Sequence, residues 1–223
     1  MRLAVAPKKL IGVYASLARR YDLQHELLTF ANDARGRRMV VEKTVFAGDK
    51  VLDAGAGTGS TGLAAARKAG PTGHVTLFDF SDDMLDVARD KARRSNLNHQ
   101  ISFVTGDMLA LPFADDEFDT VLSTYSVCPL ADPAKGAIEL YRVLKPGGLM
   151  GVAHSASPRN PIMHWLAERL EDVIWRFPGI SMGCRAVKVL PALEQAGAEV
   201  IFRKQFGVPL YPFAVFILRK PEA

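Results

Sequence analysis

The chain has 223 residues, 48 % hydrophobic and 23 % charged, the balance of one soluble α/β domain with enough apolar side chain to bury a core unaided. Eighteen glycines and 13 prolines are ordinary usage, which excludes collagen-like and low-complexity chains. The longest apolar run, Val208 to Leu218, is broken by two prolines and too short for a bilayer span. The formal charge of +4 sits at the start: residues 1–50 carry 10 Lys or Arg against 5 Asp or Glu, and the rest of the chain is nearly balanced.

In chain order, two helices are expected first, over 8–20 and 23–46. In the first, Lys8, Lys9, Arg19 and Arg20 flank Leu10, Ile11, Val13, Tyr14, Leu17 and Ala18 at helical spacing. Such an element is either a lid packed on the domain with its charges solvated or a surface helix resting on an anionic membrane. Basic residues interleaved with aromatics are absent, so no nucleic-acid partner is expected. Met1 to Leu10 lacks an apolar stretch ending in a small-residue cleavage site, which points to a cytoplasmic protein, with peripheral contact at the inner membrane face left open. Cys128 and Cys184 have neither a Cys-x-x-Cys partner nor a His at ligand spacing; both read as packed thiols, and no metal is expected.

From residue 50 the pattern changes to short apolar strands alternating with helices, the mark of βαβ units and a parallel sheet. Strands are expected at 50–54, 74–79, 101–105, 118–123 and 148–154, and helices at 59–69, 82–95 and 133–144. Ser81 caps the second of these helices and Pro146-Gly147-Gly148 ends the third. Residues 155–184 break the rhythm with Pro158, Pro161, Pro178 and an aromatic helix, an insertion of the kind that shapes substrate pockets above a sheet's C-terminal edge. A helix at 186–196 and strands at 198–205 and 211–219 complete the order.

The first strand runs through Asp53 into Gly55-Ala56-Gly57-Thr58-Gly59 and straight into an Ala-rich helix, so bare backbone and helix N–H groups face a ligand. Gly57, Gly59 and Gly62 satisfy the dinucleotide pattern, and Asp79 stands where a ribose-binding acid belongs. Asp53 at the strand's mouth would repel a pyrophosphate but suits an amine, such as the amino-acid end of S-adenosylmethionine. Asp79 would then take the ribose hydroxyls. Asp107 would take the adenine amino group, and Met108 would pack on the ring. A nicotinamide-dependent oxidoreductase stays as the weaker alternative.

Four motifs carry a resemblance: Val-Leu-Asp-Ala-Gly-Ala-Gly-Thr-Gly (51–59), Phe-Asp-Phe-Ser-Asp-Asp-Met-Leu (78–85), Gly-Asp-Met-Leu-Ala-Leu-Pro-Phe-Ala-Asp-Asp-Glu-Phe-Asp (106–119) and Tyr-Arg-Val-Leu-Lys-Pro-Gly-Gly (141–148). Together, over roughly residues 48–155, the chain resembles class I S-adenosylmethionine-dependent methyltransferases. Tyr21-Asp22 and Leu27-Leu28-Thr29 look most like the ubiquinone and menaquinone C-methyltransferase group. The resemblance implies a Rossmann-like α/β fold with a seven-stranded, mostly parallel sheet whose last strand is antiparallel, and an N-terminal helical lid whose Tyr21 covers the methionine end. It implies one domain over 1–223, divided into an N-terminal segment 1–47, a cofactor-binding half 48–154, a substrate-side insertion 155–184 and a C-terminal part 185–223. The cofactor-binding set is then Tyr21, Asp53, Gly55, Ala56, Gly57, Gly59, Asp79, Phe80, Met84, Asp107, Met108 and Ser123.

The quinone group carries an acid after the fifth strand, where this chain has Ala153-His154-Ser155. Tyr211-Pro212-Phe213-Ala214-Val215-Phe216 is instead similar to bacterial phospholipid N-methyltransferases. The expected function is methyl transfer to a small or lipophilic acceptor, a quinone precursor or an amino phospholipid, with a non-catalytic cofactor-binding subunit as the rival. Transfer needs nucleophile and methyl aligned about 3 to 3.5 Å apart, and a proton-handling group would help a quinol or amine. His154 and Tyr125 are the candidates for that role. Ser123, Thr124 and Ser126 offer hydroxyls, and Arg159 could meet an anion. Trp165, Trp175 and Phe177 read as core, while His25, His74, His99 and His164 show no partner pattern.

Overall fold

The computed structural model describes residues 7–18, 20–22, 29, 32–175 and 186–222. Helix α1 spans Pro7–Leu17 and α2 spans Asn32–Thr44. The sheet is then laid down as β1 (Lys50–Ala54), β2 (His74–Asp79), β3 (Ile101–Thr105), β4 (Phe118–Thr124) and β5 (Leu144–Ser155). Between these strands run α3 (Ser60–Ala69), α4 (Asp82–Arg94) and α5 (Pro133–Arg142). After β5 come α6 (Pro161–Ile174), α7 (Leu190–Gln195), β6 (Glu199–Val208) and β7 (Tyr211–Arg219). The spatial order is β3-β2-β1-β4-β5-β7-β6, with β7 antiparallel to both neighbours. The seven-stranded sheet with one reversed strand is as expected.

Local chemistry sets the boundaries. The Ser81 hydroxyl accepts from the Met84 N–H and caps α4, while Asp132 caps α5 through the Lys135 N–H just before a proline at the first helical position. The third crossover helix stops sooner than expected. Leu144 already pairs with Phe118, so β5 begins ahead of Pro146-Gly147-Gly148, and the two glycines lie inside the strand.

Strand alternation divides the core into two layers. Val51, Leu77, Leu122, Ala153, Phe213 and Val215 pack under α2, α3 and α4. Leu52, Phe118, Val121, Met150, Val152 and Leu218 pack under α5 and α7. Helix α6 differs: none of its side chains is buried, and Ile162, Trp165, Leu166, Leu170 and Val173 are exposed. Trp165 therefore does not belong to the core. Trp175 is half-buried. His25, Phe177 and Cys184 lie outside the described residues, as does most of the expected helix start between 23 and 31. Cys128 is buried, its Sγ donating to the Tyr125 carbonyl at 3.5 Å. Among the described residues no helix is long and apolar enough to cross a membrane, and no cluster of side chains could hold a metal ion.

Candidate active site

β1 lies between β2 and β4, so the chain leaves it in one direction toward β3 and in the other toward β5, the switch point at which open α/β sheets bind ligands. Loops from the C-terminal ends of β1, β2, β3 and β4 enclose a cavity of about 290 Å³ there. Tyr14 and Tyr21 wall one side and Pro129 to Ala131 another. Of the expected cofactor residues, Tyr21, Gly55, Ala56, Gly57, Asp79, Phe80, Met84, Asp107 and Met108 are brought together on its surface.

The glycine loop is held by the Gly55 and Ala56 N–H groups, which donate to the Phe78 carbonyl at 2.7 and 3.0 Å. Gly57 has φ of +53°, and a Cβ added there would meet nothing within 4 Å, so its backbone borders open cavity. Gly59 and Gly62 do different work. Each makes room for packing: a Cβ at Gly59 would stand 2.9 Å from the Ala88 Cβ, and one at Gly62 2.0 Å from a Leu77 methyl. Gly59 thus does not line the cavity, a correction to the expected set, because at the N-cap of α3 it faces Leu63, Leu77 and Ala88 instead.

The three acids diverge. Asp79 is buried at the cavity wall, accepting from the Gly57 N–H at 2.8 Å through one oxygen and the Ser81 N–H at 3.0 Å through the other. Burial pushes its carboxyl above the ordinary value, against the pull of those N–H groups. Asp107 is exposed at the cavity and caps its own turn at the Leu109 N–H. Asp53 is fully buried and does not reach the cavity, which overturns its expected contact with a ligand amine. Alternation turns residue 53 toward α3, where its carboxylate abuts the space beside Gly62 and no hydrogen bond reaches either oxygen among the described residues. Burial pushes its pKa up to about 7, partly countered by the Arg37 guanidinium.

Both expected proton-handling residues are corrected. His154 is buried on the strand face it shares with Val152 and Met150, away from the cavity, with Nδ1 2.6 Å from the Ser155 carbonyl and its ring against Phe216. Desolvation lowers its pKa, so it is a neutral structural histidine. Tyr125 does reach the cavity, held at φ of +60°. Its hydroxyl donates to the Asp33 carbonyl at 3.4 Å, however, and burial pushes its ionisation well above the ordinary tyrosine value. It serves as wall rather than base. Ser123 is also displaced: fully buried, it pairs at 2.6 Å with Ser126, which lines the cavity in its place and donates to the Ala54 carbonyl. Arg159 is exposed and lies outside the cavity.

Sequence reasoning missed Arg37, Tyr14 and Thr58 as cavity-lining residues. Arg37 donates to the Thr61 and Thr124 hydroxyls at 3.0 Å each, lies 3.5 Å from the Asp33 carboxylate and sits over the Tyr125 ring. It is the one Lys or Arg among the described cavity-lining residues. Within Arg35, Arg37 and Arg38 it looks like part of a solvated run. The available signal was register, since Asp33, Gly36, Val40, Val41 and Thr44 form the buried stripe of α2 and Arg37 falls beside it.

The doubly wound sheet with a cavity at its switch point defines the Rossmann-like methyltransferase fold. A SAM-dependent methyltransferase from Aquifex aeolicus superposes with a TM-score of 0.65 at 21 % identity over 92 % of this chain and 97 % of that one. Geranyl diphosphate C-methyltransferase from Streptomyces coelicolor does so at 0.68 and 13 % identity, over 84 % and 79 %. Identities this low speak to fold alone. The chain belongs to the ubiE/COQ5 methyltransferase family, whose model matches residues 3–174. It is 35 % identical over 160 residues to a demethylmenaquinone methyltransferase of Lactobacillus johnsonii, covering 71 % of this chain and 66 % of the relative. To the ubiquinone/menaquinone biosynthesis C-methyltransferase UbiE of Haemophilus ducreyi it is 37 % identical over 148 residues, covering 66 % and 57 %. The matched region is thus less than two thirds of these relatives' own length.

Proposed function

We propose that the protein is a SAM-dependent methyltransferase that methylates a ring carbon of a quinone precursor. The observation that carries the reading is Asp79, a buried carboxylate on the cavity wall of a chain in the ubiE/COQ5 family, beside the bare backbone of Gly57. The residues fit the cofactor. Asp79 suits a ribose diol, Asp107 an adenine amino group flanked by Met108 and Leu130, and Arg37 a carboxylate.

When bound, SAM supplies an electrophilic methyl on a sulfonium whose positive charge is lost in transfer. Tyr14, Tyr21 and Phe80 present an apolar wall to that region, and the glycine loop borders it on the other side. Alignment of this kind contributes on the order of 7 to 11 kcal/mol to a bimolecular step. Among the described lining residues no histidine is poised as a base, so the chain's contribution is positioning. A prenylated acceptor resides in a membrane, and Lys8, Lys9, Arg19 and Arg20 beside the apolar residues of the N-terminal segment suit contact with an anionic surface.

Incubating the protein with methyl-labelled SAM, demethylated quinols and a total lipid extract tests the reading. Label in a quinone supports it. Label in a phospholipid headgroup moves it to nitrogen transfer, and bound cofactor with no labelled product on any acceptor leaves a binding subunit.

A further inference from the structure

The tip of the glycine loop is gripped from two sides by carboxylates. On one side the Gly57 N–H donates to Asp79 at 2.8 Å. On the other, the Thr58 hydroxyl donates to Asp22 at 2.5 Å, and the same oxygen lies 3.4 Å from the Ser60 hydroxyl. The second Asp22 oxygen accepts from the Lys91 ammonium of α4. Asp22 follows directly on Tyr21, whose ring lies 6.0 Å from Tyr14. Tyr14 in turn meets Phe80 edge-on at 5.6 Å, and all three rings line the cavity.

We propose that Asp22 is a positioning residue, the latch that couples this aromatic wall to the cofactor loop through Thr58 and to α4 through Lys91. The inference rests on the cofactor reading above but assigns a residue outside the cavity surface, since Asp22 does not line it. The wall packs in its own small apolar cluster, Tyr14, Ala18 and Met84 with Tyr21, Phe80 and Val87 against them, separate from both main core layers. Asp22 holds its charge for the task. Burial pushes its carboxyl up, but the hydrogen bonds from Lys91 and Thr58 together outweigh that and keep it below the usual carboxylate range. A ligand that engages Asp79 acts on Gly57, and Thr58 is the next residue, so a change in loop position passes to Asp22 and on to Tyr21.

The test is calorimetric binding of S-adenosylhomocysteine to the full chain, with hydrogen exchange across residues 12–22 read in parallel. Asp22→Ala should weaken binding about tenfold, the worth of one charge-assisted hydrogen bond, and remove the ligand-induced protection of residues 12–22. Asp22→Asn, which keeps an acceptor for Thr58 but no charge for Lys91, should fall between Ala and the parent. Lys91→Met should weaken binding less than Asp22→Ala, because the ion pair is partly exposed and screened by salt. Unchanged melting of the variants separates a latch from a folding defect. If the parent binds and Asp22→Ala binds equally with the same protection, the latch is overturned. If the parent itself does not bind, it is the cofactor reading that fails.

Discussion

The two ends of the sheet differ in whether each carboxylate is given a cation. At the end where the parallel strands begin, every acid named has a cation: Glu117 pairs with Lys50, Asp119 with Lys145, Asp116 with Lys220, and Asp115 and Glu139 share Arg142. These partners hold Glu117, Asp119 and Glu139 below their ordinary values. At the other end Asp22 and Asp33 also have cations, Lys91 and Arg37, but Asp79 has backbone N–H groups alone and Asp53 has no hydrogen bond, and burial raises these two. One end is neutralised within the protein. At the other, Asp79 on the cavity wall keeps its carboxylate for something that arrives, while Asp53, turned toward α3 and out of the cavity, only carries the cost of burial typical of strained sites.

The comparison can be broken most directly at Asp79. Replacing it with Ala should weaken S-adenosylhomocysteine binding by on the order of a hundredfold or more, since a buried acceptor for two hydroxyls is lost, while the fold stays intact. Binding close to the parent's by calorimetry would mean that the acid serves the loop and not the ligand.

Asp53 sharpens the contrast through pH. Its folded pKa of about 7 exceeds the unfolded value near 3.8, so between those values the folded state holds the extra proton and stability falls as pH rises. Asp53→Asn should therefore stabilise the protein more at pH 8 than at pH 5, by on the order of 2 kcal/mol in denaturant unfolding. The paired end runs the other way. Asp119 is depressed, so its contribution is present above the unfolded pKa and is lost as pH falls through the folded one. Lys145→Met should cost less than about 1 kcal/mol at pH 7, and that difference should vanish in acid, with ligand affinity unchanged. The smallest effect is expected at Tyr125. Tyr125→Phe keeps the ring and loses one long hydrogen bond, so methyl-transfer rates should stay within about threefold of the parent, and a loss of orders of magnitude would restore it as a proton carrier.

What the sequence made legible is what repeats locally. Strand runs, helix caps and the glycine loop are decided within a few residues, which is why β1 to β3 and the Ser81 cap fall where expected. The side a residue faces depends on registers set by distant partners. Asp53 and His154 both sit near the C-terminal ends of their strands, yet alternation turns one toward α3 and the other beneath Phe216. Arg37 was hidden for the converse reason: its neighbours look like surface, and only the packing of α2 over the sheet brings it to Thr61 and Thr124. The aromatic content of α6 suggested core, but that helix buries nothing among the described residues.

The ring of Tyr125 rests edge-on against Phe213, 5.5 Å between centroids, and Phe213 belongs to β7, the strand threaded last between β5 and β6. All four motifs that carry the resemblance emerge during synthesis long before that support exists. A nascent or truncated chain ending before residue 211 would display the complete signature and still lack the prop beneath one cavity wall. In such pairings of distant segments, loop closure precedes any reward, so ligand capture should wait until β7 has paired.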